Sequence, residues 1–154
     1  MLDKRRYFMP EIKRILMPVV FSDNDNLAAG YARQIAMCAG AEVDLVHVTP
    51  KVDFISEDIL QSVYTSHVGY EKEVAGKLMD AFIEKSLPGV GIRSKVVLSG
   101  QPVDEILKYA RENAINMIVL PTHTRKGPEA WFVGSVAERV TKKAHCPVLL
   151  VHPD

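Results

Sequence analysis

The sequence predicts a doubly wound α/β domain built on a five-stranded parallel sheet. Short apolar segments rich in β-branched residues alternate five times with segments of helical periodicity. Two of the later segments, MIVLP and PVLLV, are apolar at every position, which is typical of strands buried on both faces. Strands separated by helices form right-handed crossover units, so we expect helices on both faces of the sheet.

Turn residues separate the predicted strands from the helices between them. Gly40 and the pair Pro88-Gly89 mark the ends of the first two long helices. No repeat, low-complexity segment or linker interrupts the pattern, so we expect one domain over residues 11–154 after an N-terminal tail, residues 1–10. The predicted strands are residues 12–20, 41–48, 92–98, 116–120 and 147–151.

Helical spacing predicts which side chains of the four helices face the sheet. The third helix begins at Gln101-Pro102, because proline suits the first turn of a helix. The second lies within residues 56–87. The predicted core-facing residues are Leu27, Ala28, Tyr31, Ala32, Ile35, Ala36 and Ala39; Val74, Leu78, Ala81 and Phe82; Val103, Ile106, Leu107, Ala110 and Ala114; and Val133, Val136, Ala137, Val140 and Ala144.

Composition excludes several classes of protein. The 19 acidic and 19 basic residues balance, whereas nucleic-acid-binding proteins usually carry a basic excess, so we expect no nucleic-acid partner. No apolar run reaches the roughly 18 residues of a membrane-spanning helix, and no secretory signal is recognisable, so we expect no membrane association. Cys38 and Cys146 lack motif spacing and are expected to be two buried thiols in a cytoplasmic protein.

Ligands of such sheets bind at the carboxyl ends of the strands, where the strand order reverses. The loops at that edge are residues 21–26, 49–55, 99–101 and 121–133. The last is the longest, and it leads to Gly134-Ser135 at a predicted helix start. Helix N-termini favour phosphate, but the spacing Ser135…Glu138 equally fits a plain capping box. Anion binding and capping both remain open from spacing alone.

Common catalytic motifs are missing from the chain. It has no P-loop, no nucleophile elbow and no metal-ligand spacing among its five histidines. We expect His47 to be a hydrogen-bonded structural residue of its strand, whereas His123 is equally compatible with a loop residue or a functional one. Trp131-Phe132 is expected to serve packing or a partner contact.

Three segments resemble the universal stress protein family. They are ILMPVVFSDNDNLAAGYARQIA near the start, LVHV in the second strand, and THTRKGPEAWFVGSVAERVTKKAHCPVLLV near the end. With the intervening order of strands and helices, the resemblance covers about residues 12–152. It implies the adenine nucleotide alpha hydrolase-like fold, with strand order 3-2-1-4-5, and a homodimer through the C-terminal strand. An unpaired apolar edge strand independently favours such pairing.

The resemblance also implies a ligand site, which this sequence matches only in part. ATP-binding members carry an aspartate after the first strand and a loop of the form G-x-x-G-x9-G-[ST]. Here the aspartate position is Val20, and the first two loop glycines fall on Pro121 and Thr124. Val48 takes a position whose backbone meets the adenine. The implied contacts are Pro18, Val20, Val48, His123, Gly127, Gly134, Ser135 and Val136.

These substitutions predict weak or absent ATP binding. Losing a charge-assisted hydrogen bond, a backbone donor and a positive-φ glycine removes roughly 3–6 kcal/mol, or about two to four decades of affinity. We therefore expect a regulatory module of the stress response that is not an enzyme and holds no firm cofactor. The alternative is a nucleotide-sensing protein that holds ATP or AMP at residues 121–135. A nucleotide hydrolase would depend on Asp23, Asp25 or Glu129, which are more simply capping or solvated loop residues.

Overall fold

Five parallel strands form the centre of the protein, as predicted. The computed structural model describes residues 10–49, 61–122 and 134–153, and for residues 61–68 it describes the backbone alone. The strands run in the order β3-β2-β1-β4-β5 and all neighbouring pairs are parallel. They are β1 Arg14–Pro18, β2 Glu42–Thr49, β3 Ile92–Ser99, β4 Met117–Pro121 and β5 Val148–Val151.

The four helices divide between the two faces of the sheet. They are α1 Asp23–Ala39, α2 Gln61–Ser86, α3 Pro102–Glu112 and α4 Ser135–Lys143. Side chains of α1 and α2 share one core cluster with alternate residues of β1, such as Ile15 and Met17. Leu16, on the opposite face of β1, packs with α3 and α4 in a second cluster. This two-sided burial explains why the central strands are apolar at consecutive positions.

Small side chains allow α1 to pack close against the sheet. Ala28, Ala29, Ala32 and Ala36 are buried, and Gly40 ends the helix in the left-handed conformation, with φ 65°, as its position predicted. The predicted core residues Leu27, Tyr31 and Ala39 are instead exposed, because the alanine face is the one that turns toward the strands. Cys38 lies on the outer side of this helix and is exposed, so the expectation of two buried thiols is wrong for it, while Cys146 is half-buried.

The core-facing stripe of α2 differs from the prediction by one residue. Ala75 and Met79 are buried together with Phe82, whereas the predicted Val74, Leu78 and Ala81 are exposed. Successive residues of a helix are turned by about 100°, so the stripe of Val74 and Leu78 lies next to the stripe of Ala75 and Met79. Periodicity alone cannot select between them, and the packed structure uses the stripe that contains the larger pair, Met79 and Phe82.

The helices on the other face follow the predictions more closely. Val103, Ile106, Leu107, Ala110, Ala137 and Val140 are all buried, and Val136 and Ala144 are half-buried against the same core. Ala114 is wrong as a core residue, because α3 has already ended and Ala114 is exposed with φ 49°. Val133 lies outside the described residues.

A buried polar network joins the amino ends of three strands to the end of α3. The Asp44 carboxylate is 1% exposed and accepts hydrogen bonds from both Nε (2.9 Å) and a terminal nitrogen of Arg93. Tyr109 donates its hydroxyl to the same carboxylate over 3.1 Å, and Arg14 donates to the Asn113 carbonyl. The hydrogen bond with Asp44 raises the pKa of Arg93, and burial raises the pKa of Tyr109. The buried charge is therefore paired and hydrogen-bonded.

Candidate functional site

The strand order places the reversal between β1 and β4, so the crevice lies between the loops that follow these two strands. The described ends of the two loops are in contact. The side-chain amide of Asn24, in the first turn of α1, donates to the carbonyl of Thr122 just after β4, over 3.4 Å. The two loops therefore face each other, as the resemblance implied.

The loop after β1 is held in a strained conformation. Val19 still pairs with Val46, but Val20 is 58% exposed and Phe21 has a positive φ of 62°. A non-glycine residue in this region costs roughly 1–2 kcal/mol. The Phe21 ring lies 4.9 Å from the His47 ring, whose Nδ1 is 2.8 Å from the carbonyl of Val19. The predicted structural role of His47 is confirmed, since its ring contacts both the carbonyl of Val19 and the ring of Phe21.

Asp25 collects the hydrogen-bond donors of the same loop. Its Oδ2 accepts from the backbone N–H of Val20 (3.1 Å), the backbone N–H of Ser22 (2.7 Å) and the hydroxyl of Ser22 (3.1 Å). Asp25 is only 1% exposed, so it is a capping residue as expected but not a solvated one. Its Oδ1 is buried and has no hydrogen-bond partner among residues 10–49, 69–122 and 134–153. The spacing Ser22-x-x-Asp25 is the sequence signal that identifies this cap.

This arrangement changes the electrostatics of the crevice. A carboxylate at the start of α1 uses the backbone donors that would otherwise face a ligand and offsets the partial positive charge of the helix end. The exposed Asp23 adds a second acidic group in the same turn. The first turn of α1 is therefore unfavourable for phosphate.

The end of β4 is buried and tied to the end of β5. Pro121 and Thr122 are both buried, and the Thr122 N–H donates to the Val151 carbonyl over 2.8 Å. The Thr122 hydroxyl lies 3.3 Å from that carbonyl and 3.0 Å from Nδ1 of His152. Both contacts are satisfied when the hydroxyl donates to Val151 and Nδ1–H of His152 donates to the hydroxyl. Sequence reasoning missed His152, which carries no motif.

At the start of α4, the structure separates the two readings of Ser135. Gly134 is the N-cap, and its carbonyl accepts from the Glu138 N–H over 3.0 Å, while the Ser135 side chain does not cap the helix. Glu138 pairs instead with Lys142 at 2.6 Å, and this hydrogen bond lowers the pKa of Glu138. The capping-box interpretation is wrong, because the helix begins at Ser135, one residue earlier than a box with Ser135 as its N-cap requires. Ser135 is exposed at the first helical position.

The structure describes six of the eight predicted contact residues. Pro18 and Val20 lie at the end of β1, and Val48 lies near the end of β2. Gly134, Ser135 and Val136 open α4, with Val136 half-buried in the core. His123 and Gly127 lie outside the described residues, as do Thr124, Arg125, Lys126, Glu129, Trp131 and Phe132. All eight remain predictions as ligand contacts.

The described part of the chain contains no group of three or more His, Cys, Asp or Glu side chains placed to hold a metal ion. None of its helices combines the length and the apolar character needed to cross a membrane.

Comparison with known proteins identifies the family. The model of the universal stress protein family matches residues 11–152. Universal stress protein MJ0531 of Methanocaldococcus jannaschii is 35% identical over 141 residues, covering 90% of this chain and 81% of the relative. Universal stress protein MJ0577 of the same organism is 29% identical over 152 residues, covering 90% of this chain and 94% of the relative.

Solved structures agree with this result. The structure of MJ0577 superposes with a TM-score of 0.71 at 26% identity, covering 94% of this chain and 99% of that one. A universal stress protein from Archaeoglobus fulgidus in complex with dAMP superposes with a TM-score of 0.56 at 23% identity, covering 92% of this chain and 98% of that one. The latter likeness supports the fold alone.

Proposed function

The chain belongs to the universal stress protein family, and we propose that it is a non-enzymatic regulatory module whose crevice binds adenine nucleotides only weakly. One observation carries this proposal. At the rim of the crevice, Val20 presents an exposed apolar side chain while its own N–H is engaged by the buried carboxylate of Asp25. This position therefore offers a ligand neither a charged side chain nor a backbone donor.

The remaining groups near the reversal point add little to the binding of a polyanion. The start of α1 carries Asp23 and Asp25, so its electrostatic effect opposes a triphosphate. The start of α4 has the opposite character, because Gly134 caps a helix that begins at the exposed Ser135, and the first N–H groups of a helix have no intrahelical partner. Attraction at one helix and repulsion at the other favour a dissociation constant for ATP near the millimolar range, roughly −4 kcal/mol of binding free energy.

Isothermal titration with Mg-ATP tests this proposal. We expect a millimolar dissociation constant, weakened roughly 3- to 10-fold in Ser135→Ala, since one hydrogen bond to a charged group is lost. Thr141→Ala is the matched control, because it removes a hydroxyl that donates to the Ala137 carbonyl near the other end of α4. A micromolar constant for the unmodified protein contradicts weak binding, and an equal effect of both variants contradicts the placement of the phosphates.

A nucleotide-sensing function is the second candidate. It is favoured by the direct contact between the two crevice loops through Asn24 and Thr122, and by the dAMP complex of the structural relative. Mass spectrometry of the ligands released by heating protein purified without added nucleotide separates the two candidates. A near-stoichiometric adenine nucleotide favours sensing, and its absence favours the weak-binding module.

We further propose that the protein is a homodimer through β5. This strand is an edge of the sheet. The carbonyls of Pro147 and Val151 accept hydrogen bonds from the β4 side. Backbone groups of alternate residues point to opposite sides of a strand, so those of Val148 and Leu150 point toward the free edge. Antiparallel pairing of two such edges satisfies these groups.

The variant Leu150→Pro tests this pairing, since it removes one outward-facing donor, while Leu150→Ala keeps that donor. Analytical ultracentrifugation at micromolar concentration is expected to show a dimer for the unmodified protein and Leu150→Ala, and a monomer for Leu150→Pro. A monomeric unmodified protein overturns the proposal.

We also infer a cytoplasmic location from the two free thiols, Cys38 and Cys146. Cell fractionation checks this location.

A further inference from the structure

We propose that the outer face of α2 is a self-association surface, which binds the same face of a second copy of this chain with the two helices antiparallel. This inference goes beyond the proposed function, because it concerns neither the crevice nor the edge strand β5. It arises from an apolar stripe of α2 that the folded chain leaves exposed.

The exposed side of α2 carries four apolar residues in one line, which we call the outer stripe. They follow one another at intervals of four, four and three residues: Tyr70, Val74, Leu78 and Ala81. Residues at this spacing share one side of a helix, and all four are exposed, whereas Met79 and Phe82 face the core. Large apolar side chains that recur in this way on an exposed helix are typical of a surface that pairs with another helix.

The outer stripe lies away from the β5 edge. Helix α2 packs against β3, and Asp80 of the helix forms an ion pair with Lys95 of that strand. In the sheet, β3 and β5 are the two opposite edges. One subunit can therefore use the outer stripe and β5 at the same time.

The order of side-chain sizes along the outer stripe favours an antiparallel partner. Its largest member, Tyr70, and its smallest, Ala81, lie at opposite ends, about 16 Å apart along the helix axis. When two copies of the stripe run in opposite directions, Tyr70 meets the partner's Ala81. In the middle, Val74 meets the partner's Leu78. A parallel pair would instead crowd two tyrosines at one end and leave a gap between two alanines at the other, which close packing disfavours.

The charges beside the outer stripe are also self-complementary. Lys77 and Glu73 lie one turn apart on one flank of the stripe, and the lysine Nζ donates to the glutamate Oε1 over 2.7 Å. In an antiparallel helix pair this flank meets the same flank of the other copy. Glu73 then lies across from the partner's Lys77, and the two intrahelical pairs form one network of alternating charges. A second copy of this chain therefore supplies the charge pattern that the surface requires.

A single pair of helices is a small contact, so the association is weak. Stable interfaces usually bury about 1,200–2,000 Å² in total, and we expect one stripe of this length to bury less and to give a dissociation constant of roughly 0.1–1 mM. At micromolar concentration the contact is not populated by itself. Because β5 supplies a second two-fold contact, concentrated protein is expected to join dimers into tetramers or longer assemblies.

Sedimentation equilibrium of Leu150→Pro, from about 10 μM to about 1 mM protein, tests the outer stripe without the contribution of β5. We expect monomers at the low end of the series and dimers at the high end. Adding Leu78→Lys is expected to weaken this association at least about 10-fold, because it buries a charge in the apolar contact. Leu27→Lys is the matched control, since Leu27 is 41% exposed on α1 and Leu78 is 45% exposed, and it is expected to have no effect.

The unmodified protein gives a second measurement that does not depend on the proline variant. The same series is expected to show species larger than those at micromolar concentration, and Leu78→Lys is expected to abolish them.

Charge reversal tests the antiparallel arrangement. Glu73→Lys is expected to weaken the association about 3-fold or more, because it opposes two positive charges across the contact. Adding Lys77→Glu exchanges the signs and is expected to restore the association to within about twofold. A double variant no better than Glu73→Lys overturns this arrangement.

The outcomes separate the inference from the proposed function. Failure of both proteins to self-associate at the highest concentration overturns the inference and leaves a different occupant for the outer stripe. Self-association that Leu78→Lys does not weaken overturns it as well, because another surface would then be responsible. Neither result bears on the nucleotide affinity of the crevice, and a monomeric unmodified protein at micromolar concentration contradicts only the pairing through β5.

Discussion

Replacing Asp25 by alanine is expected to lower the free energy of unfolding by about 3 kcal/mol. One oxygen of this buried carboxylate accepts two backbone N–H groups and one hydroxyl. Hydrogen bonds to a charged group contribute roughly 1.5–3 kcal/mol each, so the three together account for at least about 4.5 kcal/mol. Removing the other oxygen, which is buried without a partner among the described residues, recovers about 1–2 kcal/mol of desolvation.

Two other substitutions calibrate this value. Asp25→Asn keeps an oxygen acceptor but not its charge, so a loss of about 1.5 kcal/mol is expected. Asp23→Ala removes the exposed carboxylate of the same helical turn, and only the interaction with the helix dipole, about 0.3–1 kcal/mol, is expected to disappear.

Urea unfolding followed by circular dichroism measures all three variants, with an unchanged dependence on denaturant as the sign that the unfolding reaction is the same. A loss below about 1 kcal/mol for Asp25→Ala would contradict this role of the carboxylate, because water would then replace it at little cost. An equal loss for Asp23→Ala and Asp25→Ala would contradict it as well.

Three further predictions concern the network around Asp44 and the two thiols. Asp44→Ala is expected to lower the free energy of unfolding by roughly 3–5 kcal/mol in urea unfolding, because it removes the buried carboxylate that accepts hydrogen bonds from Arg93 and Tyr109; a loss no larger than that of a surface pair contradicts this. Burial raises the pKa of Tyr109, so its contribution to stability is present below about pH 10 and is lost as the pH rises through its folded-state pKa. Urea unfolding at increasing pH is expected to show a steeper decline for the unmodified protein than for Tyr109→Phe, and parallel declines argue against this assignment. Cys38 is exposed whereas burial raises the pKa of Cys146, so a disulfide reagent is expected to label Cys38 at least about 10-fold faster; a fast phase that persists in Cys38→Ser is the contrary result.

The sequence was sufficient to predict the strands because their apolar and β-branched character has few alternatives once helices separate them. Strand bounds agree to within about two residues, the usual uncertainty of element ends. The strand order came from the family resemblance, since periodicity contains no information on which strands are neighbours. The structure confirms that order.

Helix faces were less predictable where more than one face is apolar. On α2, Val74 and Leu78 form as regular a stripe as Ala75 and Met79, and only packing against neighbouring elements distinguishes them. On α1, the burial of alanines in preference to Tyr31 depends on how closely the helix approaches the sheet. Such distances are properties of the assembled fold.

The rim of the crevice was predictable in its positions but not in its chemistry. Val20 is a recognisable departure from the family pattern, but the sequence does not reveal that Asp25 is buried beside a left-handed turn at Phe21. Phenylalanine rarely adopts that turn, so no local propensity predicts it. The tie between Thr122 and His152 likewise depends on the pairing of β4 with β5.

The position of the Asp44 network has a consequence for protein engineering. The network residues Arg14, Asp44 and Arg93 all lie within the first three residues of their strands. They are therefore at the amino ends of the strands, whereas Val20, Val48 and Leu98 are at or beyond the carboxyl ends. Side chains at the crevice can therefore be exchanged without removing the ion pair that joins β2 to β3. A library randomised at positions 20 and 48, two of the predicted contact residues, would vary the crevice on an intact scaffold, much as loops are varied on a fixed framework.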